Sequence, residues 1–150
     1  MSEMAYQIST WILPALIAIT LHEAAHGFVA SLLGDDTAKR LGRVTFNPLK
    51  HVDPFGTIIL PAMLLLASGG RMMFGFAKPV PVNFSRLRRP RRDMVLVAAA
   101  GPGINIAMAI AAAAALTLIP VLPGAGLEWI GYNLFNAVWL NVLLAVFNML

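Results

Sequence analysis

The sequence predicts a mainly α-helical membrane protein of one domain over residues 1–150, with three transmembrane helices at about 8–33, 94–119 and 132–150. A short re-entrant or interfacial helix at about 57–67 and a small surface β-sheet complete the predicted fold. Three observations carry this. The chain is 59% hydrophobic and 12% charged, whereas a soluble globular domain carries about 25% charge. Each of the three apolar segments reaches the length of about 20 residues that a bilayer crossing needs. All eleven Lys and Arg lie within residues 39–92, between the first two long segments, which is the bias expected of a cytoplasmic loop.

The first span follows MSEMAYQ, which has neither a positive n-region nor a small-residue cleavage site, so it reads as a retained helix and not a removable signal. Residues 57–67 offer only about eleven apolar positions before Ser68-Gly69-Gly70, too few to cross. A crossing there would also place Lys39, Arg40, Arg43 and Lys50 on the opposite side from Arg71, Lys78 and the "RLRRPRR" cluster at 86–92. The positive-inside rule disfavours that split. Residues 34–93 are therefore expected on the cytoplasmic side, with the N-terminus and the 121–131 loop outside.

Within that polar region Pro79 and Pro81 of "FGFAKPVPVNF" forbid helix and suggest an edge strand or polyproline segment, while residues 43–46 alternate like a short strand. Asp53 is placed to cap a turn, with Pro54 opening the next segment. The arginine cluster reads as a topology anchor against anionic lipid, and Trp129 and Tyr132 as part of the outer interfacial belt. A pI near 10.1 has its source in these membrane-flanking cations, so no nucleic-acid partner is expected.

The chain has no cysteine, which leaves His, Asp, Glu, Asn or carbonyl oxygen for any metal. His22-Glu23-Ala24-Ala25-His26 is an HExxH sequence inside the first span. On a helix the spacing of four puts both imidazoles on one face, one turn apart, able to share one zinc ion. Glu23 lies about 100° round the helix, where it can take a proton from activated water without ligating the metal. Ionisable groups inside a hydrophobic span are rare and functional by default, because burying them unpaired is costly.

Depth adds a second residue. Counting back from Gly34 at about 1.5 Å per residue, His26 lies roughly 12 Å and His22 roughly 18 Å from the end of their helix, and Asn105 lies roughly 16 Å beyond Met94. The two polar sites share a level. Gly101, Pro102 and Gly103 allow backbones close approach there, and Asn105 suits either a substrate backbone, a developing oxyanion or an interhelical hydrogen bond.

At these residues the sequence resembles the site-2 proteases, intramembrane zinc metalloproteases. The resemblance rests on HEAAH in the first span, then "GRVTFNPLKHVDPFG", "FGFAKPVPVN", "GPGIN" in the second span and "LLAVFNML" at the end. It implies three core membrane helices holding zinc, His22 and His26 as ligands, Glu23 as general base or acid, and Asn105 near the active site. It also implies cleavage of peptide bonds in or near the membrane-spanning part of other membrane proteins, in the cell membrane, at a site open to the cytoplasm. Such a substrate must unwind, and the "AKPVPVN" stretch is a candidate to receive it as an added strand.

Family members place their third zinc ligand in an Asp-Gly after a segment like "FNML". This sequence ends at Leu150 and has no carboxylate after Glu128, so it reads as C-terminally incomplete, with weak zinc binding expected of the 150 residues alone. His51 and Asp53 sit in the polar segment and read as structural. The rival reading is a catalytically inactive binding protein on the same scaffold. A membrane protease with a glutamate third ligand fits less well, since Glu128 falls on the opposite side. A transporter is the remote alternative.

Overall fold

The computed structural model describes residues 3–69, 77–119 and 126–149. Its α-helices, in chain order, are α1 (Glu3–Leu32), α2 (Thr37–Arg40), α3 (Leu60–Ala67), α4 (Pro90–Leu116) and α5 (Leu127–Met149). Tight 3₁₀ turns lie at Pro48–Lys50 and Phe84–Arg86, and a wider π-type turn at Pro54–Ile59 runs into α3. Helices α1, α4 and α5 pack pairwise into a three-helix bundle. Each is long and apolar enough to cross a membrane, over Ala5–Leu32, Pro90–Leu116 and Leu127–Met149.

The long helices begin earlier than the apolar runs that predict them. In α4 the reason is visible. Pro90 sits in the first turn, where its missing N–H costs nothing, and the Asp93 carboxylate accepts a hydrogen bond from the Arg89 amide at 2.8 Å. Polar residues therefore start the helix, and apolarity marks only the part of it suited to lipid.

The bundle is inside out by the standard of a soluble protein. Buried positions of α4 recur every three or four residues as Asp93, Val97, Gly101, Asn105, Ala109 and Ala112, one face of a helix. On α5 the buried positions are Asn133, Asn136, Asn141 and Ala145. Large side chains such as Trp11, Ile17, Phe28, Ile110, Phe135 and Trp139 point outward. Small residues and amides at the helix contacts, with bulky apolar groups outside, are what a lipid solvent selects, because lipid supplies no hydrophobic drive between helices. Two side-chain N–H groups bridge α5 to α1: the Asn136 amide Nδ2 donates to Thr10 O at 3.0 Å, and the Trp129 indole Nε1 donates to Ser9 Oγ at 2.9 Å.

Helix α3 has eight residues, about 12 Å of rise, well short of a crossing. Asp53 caps the turn before it, its Oδ1 accepting from the Gly56 amide at 2.6 Å with Pro54 next in the chain, as expected from sequence.

The expected surface β-sheet is not found: among the described residues there is no strand. Residues 74–76 of the "FGFAKPVPVNF" run, and 121–125 of the expected outer loop, lie outside the described residues. Residues 77–83 form a strap with extended backbone, and the reason it makes no ladder is where its donors go. Pro79 and Pro81 have none. The amides of Lys78, Val80 and Asn83 donate to His51 O at 2.9 Å, Glu23 Oε2 at 2.9 Å and Asp35 Oδ2 at 2.6 Å. Bonds to the His51 carbonyl and to carboxylates on and just beyond α1 take the place of a neighbouring strand at these three amides.

The connection closes back on α1 at Gly34, whose φ of +116° is open to glycine and strained for other residues. A Cβ there would also lie 3.0 Å from Arg86 O, and next to it the Arg88 amide donates to Leu33 O at 3.1 Å.

Candidate metal site

His22 and His26 project from α1 into the α1–α4 contact. Their Nε2 atoms are 3.1 Å apart, with the rings nearly perpendicular at 80°. His26 Nδ1 lies 2.7 Å from Val97 O. A carbonyl only accepts, so this nitrogen carries the proton.

The tautomer of His22 follows from a longer chain of bonds. Asn141 Nδ2 donates to Ala137 O at 2.8 Å, which leaves its Oδ1 to accept from Asn105 Nδ2 at 2.6 Å. Asn105 thus turns Oδ1 to His22 Nδ1, and His22 Nδ1 must be the donor. Both rings, when neutral, present bare Nε2 lone pairs to each other. Two lone pairs at that distance repel unless a proton or a metal ion lies between them.

The spacing suits a metal. Two nitrogens about 2.0–2.1 Å from a tetrahedral zinc lie about 3.3–3.4 Å from each other, against the observed 3.1 Å. Orientation of each imidazole by a hydrogen bond at its other nitrogen is the usual outer support of such a ligand. Gly101 supplies the space. A Cβ built on it would fall 2.6 Å from His22 Nε2 and closer still to His26 Nε2, so the missing side chain leaves open the point on which the two nitrogens converge. Among the described residues no group of three or more His, Asp or Glu completes a ligand set.

Glu23 lies beside the pair on α1, its Oε2 held by the Val80 amide at 2.9 Å. Asn105 is fully buried, and both ends of its amide are bonded within the bundle. His51 stands apart: it is buried, with Nε2 3.2 Å from Thr45 O and its own carbonyl bonded to Lys78.

A model of Peptidase family M50 matches residues 10–126. The chain belongs to that family. The matched span runs from within α1 through the strap and α4, and it includes His22, His26, Gly101 and Asn105. Among curated proteins, the chain is 41% identical over its whole length to the Bacillus subtilis protein named "Putative zinc metalloprotease YwhC", of which it covers 64%. A shorter match, 40% identical over 55 residues, is to the Mycolicibacterium smegmatis protein named "Putative zinc metalloprotease Rip2", covering 37% of this chain and 21% of that protein. No solved structure matches.

Two residues bonded to the surroundings of this candidate site escape a reading of motifs. Asn141 is one apolar-helix asparagine among several, and its link to His22 through Asn105 depends on helix rotation. Asp35 is also missed. It is fully buried, accepting from Thr37 at N (3.1 Å) and Oγ1 through one oxygen and from the Asn83 amide through the other. Burial pushes its carboxyl up, but those hydrogen bonds and the Arg86 charge outweigh it and hold the group below its usual 3.8. A buried carboxylate just past a helix end signals only a cap at the sequence level.

Proposed function

We propose that the chain is the core of a zinc-dependent intramembrane endopeptidase, with His22 and His26 as metal ligands and Glu23 as the proton-transfer group. The observation that carries this reading is the pair of Nε2 atoms 3.1 Å apart, both Nδ1 atoms engaged, over the space left by Gly101. Both relatives are named "Putative zinc metalloprotease", which supports it.

When bound, zinc supplies Lewis acidity that makes water a nucleophile near neutral pH. This chain's residues do the rest. Val97 O and Asn105 Oδ1 hold the two imidazoles in the ligating tautomer. Asn105 Oδ1 is committed to His22, which makes the residue a positioning group for that ring, and its Nδ2 keeps a second N–H, beyond the one given to Asn141, for a substrate backbone or an oxyanion. Glu23, with Oε2 bonded to the strap, has Oε1 to accept the proton from water and return it to the leaving amine.

A catalytic zinc site ordinarily has three protein ligands. Among the described residues no third one joins His22 and His26, and the chain spans 64% of the length of the relative it matches throughout. The substrate class is membrane proteins cut in or near their spanning segments, and the site opens to the side bearing the lysines and arginines, the cytoplasmic one by charge bias.

The experiment is zinc content and substrate cleavage of the full-length protein in lipid. Glu23→Gln should keep zinc and lose cleavage, and His26→Ala should lose both. A well-folded full-length protein that stays metal-free in zinc-replete buffer overturns the proposal.

A further inference from the structure

We infer that the main-chain amide of Val80 is a positioning group for Glu23, and that Gly27 is the seat that lets it reach the carboxylate. The inference deepens the reading of Glu23 as the proton carrier, and its catalytic half rests on that reading.

The Val80 N–H donates to Glu23 Oε2 at 2.9 Å, from a residue only 8% exposed. Pro79 and Pro81 on either side have no N–H and fixed φ, so a slip of one residue along the strap would offer Glu23 no donor at all. The strap cannot slide freely, because Lys78 is bonded to His51 O at 2.9 Å and Asn83 to the buried Asp35 at 2.6 Å. Gly27 is one turn beyond Glu23, on the same side of α1. A Cβ there would lie 2.9 Å from Val80 Cγ1, 2.9 Å from Val44 Cγ2 and 3.0 Å from Ala38 Cβ. A side chain at 27 therefore presses on the Val80, Val44 and Ala38 side chains, and the strap is expected to yield because α1 and Ala38 are the more tightly bonded.

A glutamate has three rotatable bonds and moves a proton efficiently only from one orientation. Binding one carboxylate oxygen to an immobile backbone donor selects that orientation and leaves the second oxygen for water. The proline-flanked strap thus acts through Glu23, not on the substrate directly.

The test is hydrogen exchange of the Val80 amide in the full-length protein, ¹⁵N-valine labelled in lipid nanodiscs, joined to cleavage kinetics. Exchange should accelerate roughly ten- to hundred-fold in Glu23→Ala. It should stay slow in Glu23→Gln, whose side-chain carbonyl still accepts. Gly27→Ala should free the amide and lower kcat about 10–100-fold, with KM and zinc content unchanged. If Gly27→Ala fails to fold, replacing Val80 by its hydroxy-acid ester removes the donor, keeps the side chain, and should lower kcat alike. Equal Val80 exchange in the unaltered protein and Glu23→Ala overturns the clamp. Wild-type kcat after loss of the amide bond overturns the positioning role. A slow Val80 amide in an unaltered protein that never cleaves overturns the protease reading and leaves the clamp standing.

Discussion

Replacing Gly101 by alanine adds one methyl group at the point where the two histidines converge, and the structure sets its size. The new Cβ would sit 2.6 Å from His22 Nε2, where ordinary contact begins at 3.4 Å. The ring must give way by the difference, 3.4 less 2.6, or 0.8 Å. Zinc–ligand distances tolerate about 0.2 Å, so the methyl and the metal cannot share the site. Loss of oriented ligands of this kind lowers metal affinity by at least about 10–100-fold. The metal-free fold should suffer far less. Alanine is about 1 kcal/mol better than glycine inside a helix, which offsets much of an overpacking cost of about 1–3 kcal/mol. The assay is zinc content by mass spectrometry of the full-length protein from zinc-buffered solution, with thermal unfolding in chelator alongside. Gly103→Ala is the matched control, because a Cβ there meets nothing within 4 Å. Stoichiometric zinc at unaltered affinity in Gly101→Ala would refute the assignment of this space to the metal.

Three further outcomes follow from the surrounding bonds. Asn105→Ala removes the acceptor of His22 Nδ1 and should weaken zinc binding about 10–100-fold, read by competition with a chromogenic chelator. Asn141→Ala leaves the buried Asn105 Nδ2 without its partner, which should cost about 1–3 kcal/mol of stability and a smaller loss of zinc affinity; equal effects of the two variants on affinity would contradict the relay. Asp35 is held below its usual 3.8 in the folded protein, so its contribution to stability is complete above that value and is lost as pH falls through the lower folded one. Asp35→Asn should flatten the acid limb of unfolding measured from pH 6 down to about 3, and an unchanged limb would remove Asp35 from acid sensitivity.

Much was legible before any coordinates. Three spans, a fourth segment too short to cross, the turn at Asp53 and Pro54, and the facing of His22 and His26 all follow from run length, charge bias and the helical period. Those rules are local, because a helix satisfies its own backbone and lipid rewards apolar side chains one at a time. The shared depth of His22 and Asn105 was also accessible, since rise per residue is constant, and the two side chains do meet. Peptidase M50 membership was carried by the order of the motifs.

Tertiary structure alone decided what each polar group faces. The strap's extended residues were read as a strand because proline and alternation are all that sequence offers; its donors went instead to Glu23, Asp35 and His51, partners 27 or more residues away in the chain. Asn105 suited three roles on paper, and only the rotation of α5, which brings Asn141 to its amide, left its oxygen for His22. Gly101 reads as a small residue for helix packing, and the structure adds that both imidazoles reach the place its Cβ would take. Sequence determines which groups must escape lipid; the long-range packing of helices, which no local period encodes, determines the partner each one finds.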